Sequence, residues 1–212
     1  MSERAAPRRR VPRQSRSRRT VAQIRQAAVD VLVIDGLDGL NTNAIAQRAG
    51  VSVATLYGYF PDKFSIIYDL FESFETERSD TVLAELATLR DTRDWRTWVH
   101  DIIDRVAGFR VEWPAGVVLR RALVLRPELQ ALDDHSTALT ARALGDALAD
   151  LADGLSEDEC QRIARMVVTT ITHQLDLAFA PTPADFTVIE ELKKMVVRYL
   201  EPYLEPYREP SA

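Results

Sequence analysis

Between Thr42 and Lys63 the chain sets out a series of hydroxyl side chains, Thr42, Ser52, Thr55, Tyr57 and Tyr59, closed by a single lysine, Lys63. Thr42 and Ser52 stand where hydroxyls can cap helix starts, and the short helix that Ser52 opens carries no positive charge of its own. Among them stand Val53 and Ala54, short and apolar. If that short helix is to bind a polyanion, the one fixed positive charge close after it is Lys63. The charge lies upstream. The first twenty residues contain eight arginines (Arg4, Arg8, Arg9, Arg10, Arg13, Arg16, Arg18 and Arg19) against one acid, Glu3, a net of +7. The remainder carries 19 basic and 31 acidic residues, a net of −12. Such asymmetry points to a polyanion-binding arm on an acidic body, with Arg13, Arg16, Arg18 and Arg19 nearest the hydroxyl-rich segment. Pro7, Pro12, Ser15 and Ser17 predict that residues 1–17 are unstructured when free, which suits either a solubilising arm or one that enters a minor groove beside the reading segment.

Other chemistry is poorly represented. The sequence shows no nucleophile–base pair and no glycine-rich phosphate loop. His100 with Asp101 and Asp104, and His173 with Asp176, are spaced like solvated or hydrogen-bonded pairs, and no three-ligand cluster is evident, so neither metal nor cofactor is expected. Cys160 is the one cysteine, with no partner for a disulfide. The chain has 212 residues, 46% of them apolar, enough for a sizeable core. It has no uninterrupted apolar stretch of spanning length and no apolar leader, which predicts no membrane association and a cytoplasmic location.

The elements that must position these residues are all helical. Val21, Ile24, Ala28, Val31 and Leu32 recur at helical spacing from Arg18 to Asp35, and Gly36 supplies the stop. Thr42 is placed to cap a second helix reaching about Ala49, and Ser52 a third from Val53 to about Tyr59. Pro61 fits the first turn of a fourth, which starts near Asp62 and carries Phe64, Ile67, Leu70, Phe71 and Phe74. Further helices are predicted at about 94–112, 115–125, 128–152, 156–180 and 184–200, closed by proline or glycine. No strand pattern is present, so the fold class is all-α, with short connections typical of a helical bundle. The closing segment repeats Glu-Pro-Tyr, and Pro202 and Pro206 are expected to interrupt any helix there.

Ala46, Gly50 and Leu56 occupy the three places where two short helices crossing at a tight turn need a small residue, a positive φ and an apolar lock. Ile45, Ala49 and Val51 complete the buried face, giving the pattern of a helix-turn-helix whose second helix enters the major groove. On these residues the run NTNAIAQRAGVSVATLYGYFPDK, Asn41 to Lys63, resembles the DNA-binding signature of the TetR-family transcriptional regulators. The likeness extends over about Arg18–Lys63. Two positions depart from it: Phe64 stands where the family commonly has an acid, and Gly58 where a larger residue is frequent.

The resemblance implies a basic arm (1–17), a three-helix helix-turn-helix domain (18–62) and a helical ligand-binding and dimerisation domain (63–212). It implies double-stranded DNA, a second copy of the chain and a small-molecule effector as partners. Thr42, Ser52, Thr55, Tyr57 and Lys63 would then serve the phosphates, Val53 and Ala54 the bases, and Tyr59 both. Phe74, Trp95, Trp98, Phe109, Trp113 and His173 are candidate effector contacts, with ordinary core packing as the alternative for each. Ile163, Val167, Ile171 and Leu175, then Val188, Leu192, Val196 and Tyr199, form stripes suited to a four-helix dimer seam or to the chain's own core. The function implied is that of a ligand-released repressor on a palindromic operator. The alternatives are an architectural DNA-binder acting by charge alone, and a helical enzyme or carrier with a vestigial reading head.

Overall fold

A computed structural model describes residues 15–89, 94–123, 126–152 and 154–205, with side chains from residue 17 onward. Among the described residues there are nine helices and no strands: α1 (Ser15–Gly39), α2 (Thr42–Ala49), α3 (Val53–Tyr59), α4 (Lys63–Thr88), α5 (Trp95–Glu112), α6 (Pro114–Arg120), α7 (Pro127–Leu151), α8 (Glu157–Ala178) and α9 (Phe186–Leu204). They fall into two compact units. The first takes the described residues up to Glu75 and adds Trp113–Asp133; the second takes Thr76–Glu112 and the described residues from Asp134 onward.

In the first unit the predicted stripe of α1, Val21, Ile24, Ala28, Val31 and Leu32, is buried against α2 and α6. The helix begins at Ser15, three residues before the expected start, because no proline follows Pro12 to prevent it. Gly36 interrupts it as expected, at φ 69° and ψ −167°, a conformation that only glycine adopts without strain. Ion pairs tie the neighbouring helices: Arg25 Nε reaches Asp69 on α4 at 2.5 Å, and Arg48 on α2 reaches Asp30 on α1 at 3.1 Å. Asp30 is held below the usual carboxylate range, first by a hydrogen bond from the Gln26 amide and then, against a small desolvation, by Arg48. Deeper, Arg120 on α6 donates to Glu75 on α4 at 3.0 Å and to Asp133 on α7 at 2.7 Å. All three are buried, so cutting this guanidinium out would leave two acids in a medium that solvates them poorly.

The second unit packs α8 against α9 and α5 against α9. A capping box opens α8: Ser156 Oγ accepts from Glu159 N, and the Glu159 carboxylate accepts from Ser156 N at 2.9 Å. Arg110 lies inside this unit with its side chain 1% exposed, donating to Asp176 Oδ1 at 3.0 Å and to the carbonyls of Val106 and Thr172.

Four local expectations are corrected. Asn41, not Thr42, is the N-cap of α2: it adopts an extended backbone and its Oδ1 accepts from Ala44 N at 2.9 Å. Pro61 lies before α4, whose first turn is held instead by Asp62 Oδ1 accepting from Ser65 N at 2.7 Å. The sixth helix ends at Arg120 rather than near 125, because the N–H groups of Arg121 and Ala122 turn back to the carbonyls three residues earlier and tighten the chain. Finally, α9 continues through Pro202 to Leu204. Proline so near a C-terminus removes one hydrogen bond from an exposed turn, and Arg96 on α5 grips Glu201 at 2.8 Å and Glu205 beyond it.

Candidate nucleic-acid interface and effector cavity

The crossing of α2 and α3 is set from the inside. Ile45, Ala46 and Leu56 are buried to 1% exposure or less, and Phe60, the C-cap of α3, is fully buried beside them. Gly50 turns the chain in the left-handed region (φ 66°, ψ 30°), and its own N–H and that of Val51 return to the carbonyls of Gln47 and Ala46. Ser52 then caps α3, accepting from Thr55 N at 3.0 Å and sharing a 2.8 Å hydrogen bond with the Thr55 hydroxyl. With Leu56 locked inward, the remaining positions of α3 face out: Ala54, Thr55, Tyr57 and Gly58 are exposed, and Val53 and Tyr59 half-buried.

Two hydroxyl pairs fix how the tyrosines stand. Thr42 Oγ1 and Tyr57 OH share a hydrogen bond of 3.1 Å, so α2 steadies the exposed ring on α3. Ser17 Oγ donates to Tyr59 OH at 3.2 Å, linking the first turns of α1 to the end of the reading helix. Arg16, expected on the arm of residues 1–17, lies on α1, and Arg18 and Arg19, expected on that helix, are exposed there. Arg13 lies outside the described residues.

Phe64, one of the two departures, has a visible use. Lys63 Nζ lies 5.5 Å from the centre of its ring and the Arg126 guanidinium 4.1 Å, so the ring faces two cations where an acid would have paired with one. Nothing in the sequence signalled Arg126, because a cation–π partner sixty residues away leaves no local pattern.

The proposed effector residues are dispersed. Only Trp98 lines the cavity of about 50 Å³ found in the second unit. Phe74 and Trp113 belong to the first unit, their rings 6.1 Å apart, and Phe74 packs so tightly on Gly116 of α6 that a methyl group there would overlap its ring. Trp95 is half-buried under the Arg96 guanidinium, 4.6 Å from its ring; Phe109 is buried outside the cavity wall; His173 is exposed. The cavity instead draws on aliphatic positions that no single-residue signal distinguishes from core. Among the described residues no group of His, Cys, Asp or Glu is arranged to hold a metal, and the Asp176 paired in the sequence with His173 serves Arg110.

The expected seam is also redistributed. Ile163, Val167, Leu175, Leu192 and Val196 are each 5% exposed or less, covered by the chain's own helices, and have no area left for a second copy. Ile171, Val188 and Tyr199 are half-buried, Ile171 in the cavity wall and Tyr199 edge-on to Tyr203. What α8 and α9 expose is another stripe: Met166 (56%) and Leu177 (51%) on α8, and Phe186 and Met195 on α9. Between the two alternatives for that stripe, seam or own core, packing decides, since both faces of these helices carry apolar residues.

Against known proteins, residues 24–70 match the family described as bacterial regulatory proteins, tetR family, and residues 94–200 match the tetracyclin repressor-like C-terminal domain. The HTH-type transcriptional regulator YdeS of Bacillus subtilis is 42% identical over 55 residues, which is 26% of this chain and 28% of that protein. This chain therefore matches little more than a quarter of the length of that relative. Similar solved structures cover nearly the whole chain. A TetR-family transcriptional regulator from Mesorhizobium loti superposes with a TM-score of 0.69 at 17% identity, covering 90% of this chain and 99% of that one. The multidrug binding protein EbrR, complexed with imidazole, gives 0.63 at 20% identity over 92% and 97%. These likenesses speak for the fold, and the two family matches cover both units; the chain belongs to the TetR family of transcriptional regulators, DNA-binding helix-turn-helix proteins and not enzymes.

Proposed function

We propose that this chain is a repressor that binds a palindromic DNA site as a homodimer and is released from it by a small molecule. The observation that carries the reading is the division of α3: Leu56 locked into the core, and Ala54, Thr55, Tyr57 and Gly58 presented outward beside the capped turn. Val53 and Ala54 supply apolar edges for thymine methyls, while Thr42, Thr55, Tyr57, Tyr59 and Lys63 supply phosphate donors. Exposed Arg18 and Arg19 add charge close to Tyr59, and Arg13 and Arg16 extend the same basic run.

Dimerisation rests on the exposed stripe of α8 and α9, where Met166, Leu177 and Met195 offer apolar area on two long, well-capped helices. A two-fold dimer sets its reading helices about 34–36 Å apart, one turn of DNA. The cavity in the second unit gives an effector somewhere to act, and the likeness to EbrR, a multidrug binding protein, agrees with that use. Linkage then requires that a ligand preferring one dimer geometry weaken the binding of DNA that prefers another.

Gel retardation with the chain's own upstream DNA tests the reading. Specific retardation that survives an excess of random duplex is expected, and is expected to be lost on Thr55→Ala with Tyr57→Ala. Equal affinity for random and upstream DNA across a salt series would instead establish binding by charge alone.

A further inference from the structure

The cavity of the second unit is walled almost wholly by valine, isoleucine and leucine from α4, α5, α7, α8 and α9. Four polar residues interrupt that wall: Arg78, Trp98, Thr140 and Thr172. Three of them already direct donors at protein oxygens. Arg78 Nη2 donates to Ser136 Oγ at 2.7 Å, Thr140 Oγ1 to the Ser136 carbonyl at 3.0 Å, and the Trp98 indole N–H lies 3.3 Å from the Glu85 carbonyl and 3.2 Å from Thr88 Oγ1. The Thr172 carbonyl accepts from Arg110. Among the described residues no Asp or Glu lines the wall.

A cation entering this space would lose its water, find no carboxylate and meet the Arg78 guanidinium. An anion would have to be desolvated among aliphatic side chains and to draw Arg78 away from Ser136. An uncharged hydrophobe gives up no polar hydration on entry and gains by burial. Size sharpens the choice: a dry cavity of about 150 Å³ is known to accept benzene, and this one, at about 50 Å³, is a third of that. One aromatic ring already exceeds that space, so a guest must move the wall or project through its open side, and anything larger than one ring is disfavoured.

We propose that the effector is a compact, uncharged hydrophobic molecule, about the size of a single-ring aromatic hydrocarbon, held in this cavity by packing alone. The proposal rests on the effector reading above and deepens it. Its test uses toluene as probe, with octanoate and tetraethylammonium as anionic and cationic comparators, on the full chain. Toluene at saturation is expected to raise the melting temperature by about 5 °C and to shift the tryptophan emission, the shift vanishing in Trp98→Phe. Val167→Phe, which fills the space, and the milder Val196→Leu are both expected to weaken the toluene response, the second serving if the first does not fold. No response to toluene, or a larger one to octanoate or tetraethylammonium, overturns the assignment of ligand class. Gel retardation in parallel separates the two readings. Toluene binding that leaves DNA affinity unchanged supports the cavity assignment and removes the effector role, whereas a charged comparator that binds and releases DNA retains the role and overturns the class.

Discussion

Gly58 and Lys63 show how much a single position decides on this surface. Gly58 sits exposed at the next-to-last position of a seven-residue helix, and a methyl group added there meets nothing within 4 Å. Gly58→Ala is therefore expected to stabilise the fold by about 0.5–1 kcal/mol through backbone entropy, read as a higher denaturant midpoint with an unchanged slope. Lys63, held over Phe64, is a fixed charge at the start of α4. Lys63→Gln should weaken DNA binding similarly for all sequences and lower the slope of log affinity against log salt by about one. Gly116 is the opposite case to Gly58, since its missing side chain is the space occupied by the Phe74 ring. Gly116→Ala is expected to cost about 1–3 kcal/mol, measured by chemical denaturation.

Among the elements, α2, α3 and the turn between them were readable because their information is local: a cap, a left-handed glycine and an apolar lock within fifteen residues. The long helices were readable in position, by period and by proline or glycine at their ends, but not in facing. On α8 both Val167 and Met166 are apolar, and only tertiary packing turns the first inward and leaves the second exposed. The buried ion network of Arg120, Glu75 and Asp133 was invisible for the same reason, its members lying 13 and 45 residues apart in the chain. Met166→Asp with Met195→Asp is accordingly expected to shift the sedimentation coefficient to that of a monomer with helix content unchanged. The start of α8 adds a pH dependence. Glu159 is held below its ordinary value by hydrogen bonds from the Ser156 hydroxyl and N–H, so its contribution is complete above the unfolded-state value and fades as pH falls through the lower folded one. Glu159→Gln should lower the melting temperature at pH 7, and the gap should narrow as pH falls below the ordinary glutamate range.

At the scale of the whole molecule, the proposed binding of DNA has to contend with an uneven charge. A body of net −12 repels a polyanion, and the first twenty residues, at +7, must overcome that at close range. Deleting residues 1–14 is expected to reduce the salt slope by more than Lys63→Gln does while the preference for the upstream site persists, measured by fluorescence anisotropy across a salt series. The cavity of the second unit is partly open, so water can reach its aliphatic wall, and wetted hydrocarbon carries a heat-capacity signature. An occupant of the proposed kind would cover that wall, and calorimetry of toluene binding is expected to show a negative change in heat capacity.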